Sequence, residues 1–510
     1  MGGLGAEAAS HKRAIVMRKY QRRSWIIGAA ITAALIVLAL FLFLPRPSAT
    51  ADDPWAHVPK HPVHTEHTMT VLQGPFASGQ EVTQACLECH PQAGAQMLQS
   101  SHFTWEHGPY DLPGHDEPVM GGKKYVLNNF CIGITSNWPP CTACHAGYGW
   151  EDATFDFTDM THVDCLVCHD TTGTYVKKNG GQPAESVDLA AVAQSVGNPT
   201  RNNCGSCHFN GGGGDAVKHG DLDTSLTFPN DDLDVHMGKH DFVCTDCHRT
   251  ADHQIGGRSI SVSMDAARQI ACTDCHSPTP HDDSRINIHA STLACQTCHI
   301  PEFARKLATK VEWDWSQAGL DLPQDPHEYL KIKGAFVYED NVVPDYAWYN
   351  GGTERYILGD VIDPQAVTAI NRPTGDIDDP NARIWPFKIH HAQQIYDSEY
   401  NYLLVPKTYG EGGYWTDFDW DEAARLGSEA NGIAYSGHYD FAPTEMYWPI
   451  THMVAPKEQA LQCDTCHVEN GEGILDWRAL GYEGDPMFYG GRAERLLVTQ
   501  SAAGGEGGAK

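Results

Sequence analysis

Eight copies of Cys-x-x-Cys-His run through this chain and take up sixteen of its seventeen cysteines. Each has the spacing by which two thiols add to the vinyl groups of one porphyrin while the adjoining histidine reaches the iron. The first four are Cys86, Cys89 and His90; Cys141, Cys144 and His145; Cys165, Cys168 and His169; and Cys204, Cys207 and His208. The others are Cys244, Cys247 and His248; Cys272, Cys275 and His276; Cys295, Cys298 and His299; and Cys463, Cys466 and His467. One such motif could hold zinc. Eight, all ending in histidine, point to eight covalently attached haem c groups with these histidines as proximal ligands.

With 510 residues, the chain has about 64 residues per haem, too few for a large apolar core beside each cofactor. The haems must fill much of the interior themselves. Gly at 49 residues and Pro at 30 suit a loop-rich chain. The implied fold class is a multihaem cytochrome c fold: mainly short α-helices and loops wrapped around eight packed haems, with little strand and one N-terminal transmembrane helix.

That helix is read from residues 25–44, an uncharged run after the cations Lys12, Arg13, Arg18, Lys19, Arg22 and Arg23. About twenty apolar residues span a bilayer, and a cationic flank stays on the cytoplasmic side. Residues 1–24 would be cytoplasmic, and the rest would lie on the periplasmic side of the inner membrane. The alternative is a signal peptide cleaved at Ala49-Thr50-Ala51, which would leave a soluble periplasmic protein. Net charge is −30, which excludes nucleic acid as a partner. The expected partners are a small oxyanion substrate, the membrane through the N-terminal helix, and an electron donor, either a quinol oxidase or a small cytochrome.

Residues 45–70 read as a linker and 71–300 as a haem domain with the first seven motifs. Residues 301–487 read as an aromatic-rich wrapping region that returns for the eighth haem, and 488–510 as a disordered Gly/Ala tail. Short intervals between first cysteines (141 to 165, 244 to 272, 272 to 295) predict close haem neighbours. Helices are expected over residues 186–196, with Ser186 as N-cap, and over residues 421–430. No alternating strand pattern lasts beyond a few residues.

Function turns on the sixth ligand. An iron between two histidines relays electrons, whereas one with a weak or absent sixth ligand can bind substrate. Distal candidates are His102, His236, His253, His281, His289, His438 and His452, with His107, His162, His219, His240, His390 and His391 as further possibilities. Two other features stand out. Cys131 is the unpaired cysteine, either a buried structural thiol or a sulfur nucleophile beside a haem. Four glycines at 211–214 precede Asp215 and Lys218, which would share a face of a helical turn.

Several longer segments resemble a known family, the octahaem tetrathionate reductases. They are Asn128-Asn129-Phe130-Cys131, residues 141–150, residues 164–173, residues 208–219, and Gly410-Glu411-Gly412-Gly413-Tyr414-Trp415-Thr416-Asp417. The resemblance implies that the second haem is the active site, with Lys218 as its distal ligand and Asp215 and Cys131 beside it. The other seven haems would be bis-histidine relays. On this reading the chain reduces tetrathionate, with nitrite and hydroxylamine as further candidate substrates. The rival readings are nitrite or hydroxylamine turnover in vivo, or an anchored electron wire without catalysis.

Overall fold

In the computed structural model, the described residues are 25–28, 30–33, 65–112, 114–130, 133–262, 269–469 and 472–492. Two compact units are distinguished. One comprises residues 1–58 with Cys275–Pro280; the other comprises Pro59–Asp274 and His281–Lys510. In the first unit, residues 25–28 and 30–33 are helical.

The second unit carries seven of the eight motifs whole, on very short helices such as Leu166–His169, Arg201–His208, Cys244–Cys247, Cys295–His299 and Cys463–Cys466. A helical turn places residues i and i+3 on one face, so both thiols of a motif can meet one porphyrin edge. Local caps start these turns. Thr200 accepts from Asn203 N–H, and the Asn203 side chain answers at Thr200, ahead of the fourth motif.

The helix expected from Ser186 is shorter than its pattern suggested. Asp188 caps it, it spans Leu189–Gln194, and Ser195–Val196 then pairs with Thr65–Glu66 as a two-stranded ladder. The second expected helix runs Trp420–Asn431, started by Asp419 and stopped by Gly432 in the left-handed region.

The expectation of little strand is overturned. The region after the seventh motif folds as a nine-stranded sheet. Its strands are β1 (Thr309–Asp314), β2 (Tyr329–Leu330), β3 (Gly334–Glu339), β4 (Asp345–Tyr349) and β5 (Thr353–Arg355). They continue with β6 (Thr368–Pro373), β7 (Arg383–Asp397), β8 (Tyr402–Leu403) and β9 (Tyr439–Pro449). The main path is β5-β6-β9-β7-β1-β3-β2, and β4 and β8 also pair with β7. The long ladder joins β7 and β9 antiparallel, from Phe387 opposite Pro449 to Asp397 opposite Tyr439. Its alternation is hidden in the sequence because the buried positions of β7 include Lys388, His390 and Gln394 beside Ile384 and Ala392. Over them lies the largest core, built on Trp313, Trp315 and Trp448, which also takes in Phe130 and Val217 from the haem-bearing part.

The transmembrane helix is not upheld. Among the described residues, no helix is long and apolar enough to cross a membrane. The remaining anchor positions, the cleavage site, most of the linker, Cys131 and residues 493–510 lie outside the described residues. The membrane as partner and the anchored location at the inner membrane are therefore withdrawn.

Candidate functional site

Five motif histidines face a second imidazole. Ring centres lie 6.4 Å apart for His169 and His253, 6.1 Å for His208 and His102, and 6.2 Å for His248 and His452. They lie 6.1 Å apart for His299 and His281, and 6.1 Å for His467 and His289. Two imidazoles bound on opposite sides of one metal at about 2 Å each put their ring centres about 6 Å apart. The residues therefore fit a haem c at each pair, with the motif thiols alongside. Five of the seven leading distal candidates stand in this position. His438 instead is exposed at the turn before β9, and His236 lies against Phe242.

Thiols of different motifs also meet. As free thiols, Cys86 lies within hydrogen-bonding reach of Cys165, Cys144 of Cys207, Cys204 of Cys244, and Cys272 of Cys295. Cys298 lies within electrostatic reach of Cys463, and Cys168 of Cys207. Of the short intervals, 272 to 295 brings its thiols together. The second and third motifs are tied through Tyr148 O–H, which donates to Asp164 at 2.8 Å.

His145 differs from the five paired histidines. Among the described residues no imidazole stands opposite it. Its ring packs among Phe103, Trp150, Phe155 and Phe157, and Nε2 lies 2.5 Å from the Phe103 carbonyl. Burial pushes its pKa down to about 4. The buried Lys177 ammonium pairs with Asp164 at 3.0 Å and donates to the carbonyl of His145, fixing this motif from behind.

Two segments singled out in the sequence converge nearby. A β-carbon on Gly212, whose φ is 78°, would lie 3.3 Å from Lys218 Cβ and 3.4 Å from Phe130 Cδ1. The glycine run is thus the contact between the Asn128-Asn129-Phe130 segment and the Lys218 turn. Lys218 Nζ sits 5.0 Å from the Trp448 ring centre, and its charge reaches Cys144 and His208. Asp215 accepts from Thr224 N–H at 3.0 Å and from its hydroxyl. The chain just before the Gly410 segment is tied to the second motif: Asn137, four residues before Cys141, accepts at Oδ1 from Thr408 N–H at 2.6 Å.

The sheet holds both segments, and this was not foreseen. Lys388 of β7 is fully buried and donates to the carbonyls of Val217 at 3.0 Å and Lys218 at 3.2 Å, and to Thr309 Oγ1 at 2.6 Å. Burial pushes its ammonium well below the ordinary lysine range. His390, two residues on, donates from Nδ1 to Asn129 Oδ1 at 3.0 Å and stacks on Phe130 at 3.8 Å. Burial, then the Lys388 and Lys310 charges, hold its ring neutral, and Nε2 is buried without a partner among the described residues. Gln394 donates to the Asn128 carbonyl at 3.1 Å. Side chains at i, i+2 and i+6 share one face of a strand, so one face of β7 grips both segments.

Comparison with known proteins fits this arrangement. Residues 310–470 match the family model "Cytochrome c bacterial", and residues 230–302 match "Cytochrome c7 and related cytochrome c". The chain is a multihaem c-type cytochrome and an oxidoreductase. An uncharacterized protein of Archaeoglobus fulgidus is 25% identical over 236 residues, 35% of this chain and 77% of that protein. The crystal structure of an octahaem cytochrome c from Shewanella oneidensis is similar at 53% identity with a TM-score of 0.77, covering 82% of this chain and 97% of that one. The chain belongs to the octahaem cytochromes c.

Proposed function

We propose that the chain is a reductase of small nitrogen oxo-species, nitrite and hydroxylamine first, at the haem held by Cys141, Cys144 and His145. The other haems would feed it electrons. One observation carries this reading: the charge of Lys218 reaches Cys144 of the second motif, whose His145 no second imidazole faces among the described residues; five motif histidines are faced by one, and His90, which shows none either, has no such lysine beside it among the described contacts. The thiol contacts support a relay that joins motif 1 to 3, 4 to 5 and 6 to 7, with motif 2 attached at 4.

A haem held by Cys141, Cys144 and His145 would supply single electrons and a metal centre, and His145 Nε2, which lies 2.5 Å from the Phe103 carbonyl, would have to turn to it. The residues around it do the rest. Lys218 offers a displaceable primary amine. Asp215, three residues away and held by Thr224, offers a carboxylate that can pass protons. Lys388 fixes the backbone between them. Nitrite reduction to ammonium takes six electrons and eight protons, and hydroxylamine reduction takes two electrons and three protons. Both need stored electrons and a proton path. Tetrathionate reduction would in addition draw on a thiol, for which Cys131 is the candidate.

Adding nitrite or hydroxylamine to the oxidised holoprotein should perturb one component of its electron paramagnetic resonance (EPR) spectrum and leave the others. Reduced viologen should drive turnover of both, and Lys218→Ala should change that same component. The five facing pairs favour a second reading, an electron relay without chemistry of its own. Eight bis-histidine signals that ignore both ligands, with no turnover, would leave only that second reading.

A further inference from the structure

The imidazoles in the five facing pairs do not share one kind of second partner. His169 Nδ1 donates to the Gly197 carbonyl at 2.8 Å, His248 to that of Gly256 at 2.9 Å, and His289 to that of Arg285 at 2.7 Å. His253 donates to the Gln96 amide oxygen at 2.9 Å and His281 to that of Asn287 at 3.3 Å. All of these acceptors are neutral. Two imidazoles donate instead to carboxylates. His452 Nδ1 lies 3.1 Å from Asp221 Oδ2, and His467 Nδ1 lies 2.6 Å from Asp485 Oδ1.

Both carboxylates belong to the fold's interior. Asp221 is 1% exposed and Asp485 5%. Asp221 Oδ2 also accepts the backbone N–H groups of Thr451 at 2.7 Å and His452 at 2.9 Å, which fixes its aim, while the Thr451 hydroxyl lies 3.2 Å from the same Nδ1. Asp485 Oδ1 also accepts from Met487 N–H at 2.9 Å as the N-cap of Pro486–Tyr489, and Oδ2 is buried without a partner. A buried carboxylate is screened far less than a surface one.

A carboxylate on the outer nitrogen of a ligating imidazole makes the inner nitrogen a stronger donor. It also places a full negative charge near the metal, which favours the more positive oxidation state. We propose that Asp221 and Asp485 are positioning residues. Acting through His452 and His467, they give the haems of the fifth and eighth motifs the lowest reduction potentials among the five facing pairs. The proposal rests on the bis-histidine reading above for the fifth motif. At the eighth it needs only the proximal histidine of the motif. Each redox event is the gain or loss of one electron, with no bond made or broken.

The test is potentiometry of the holoprotein with dithionite and mediators, followed by EPR. Two low-spin components of the wild type should reduce last. Asp485→Asn should move one of them to higher potential, Asp221→Asn the other, and Asp485→Glu should return the first towards its original place. Unmoved potentials with intact low-spin signals overturn the proposal. Where an Asn variant sheds its haem, the wild type decides: low-spin components that all reduce together overturn it. Failure of the bis-histidine reading would be visible earlier, as wild-type spectra without the low-spin signals.

Discussion

Lys388 shows what a single residue contributes here. Its ammonium is enclosed and satisfied by two carbonyls and one hydroxyl, and it lies opposite Trp448 in the β7–β9 ladder. Replacing it by methionine keeps the length and removes the donor. Each buried carbonyl left without its partner costs about 1–3 kcal/mol. Lys388→Met should lower the melting temperature, and its larger effect should be on the EPR component that responds to nitrite, because the carbonyls released belong to Val217 and Lys218. A uniform change across all haem components would show that Lys388 only stabilises the sheet. Nothing in the sequence marks this lysine, since a lysine on a strand is ordinarily solvated. Lys218 and Asp215 could be singled out because glycines and a haem motif adjoin them. Lys388 becomes visible only once the strand is known to be covered on that face.

Among the elements, the short helix Ser284–His289 joins a cap to a ligand. Asp283 accepts from Arg285 N–H at 2.8 Å and pairs with its guanidinium, and the helix ends at His289. The Arg285 side chain, then its backbone N–H, hold the Asp283 carboxyl down at about 2. A carboxyl depressed below its unfolded value of about 3.9 stabilises the fold above that pH, and the contribution fades as pH falls towards the folded value. Acidification from about pH 4 to 2 should loosen this helix, and Asp283→Asn should remove that acid step. The step would be followed as a change in the component assigned to His289 and His467. An identical acid profile in the variant would assign the loosening to other groups. Elements of this kind were legible in part. The helix Trp420–Asn431 follows from its Asp419 cap and apolar face. The strand β7 does not, because lysine, histidine and glutamine occupy its buried positions and break the apolar alternation that signals a strand.

For the whole molecule, the motifs settle the cofactor while the sheet settles the architecture. A pyridine haemochrome assay should find eight haems per chain of 56.0 kDa. A lower count would mean that some Cys-x-x-Cys-His copies are not loaded. The motifs fixed which histidines to look at, and spacing could not tell which other histidine each one meets. Those partners come from far along the chain, as His452 does for His248 and His102 for His208. Long-range pairing depends on the fold and leaves no local trace.

The contact between β7 and the Lys218 turn has a further consequence. Lys388, His390 and Trp448 all lie beyond the seventh motif, yet they form a wall against the Lys218 turn and Asn129, which come before it. A chain ending after residue 300 would keep seven attachment sites and lose that wall. On the proposed reading, part of the reactant's site is thus written in a different third of the polypeptide from most of the electron path, and variation there would alter what the molecule transforms while its wiring stays as it is.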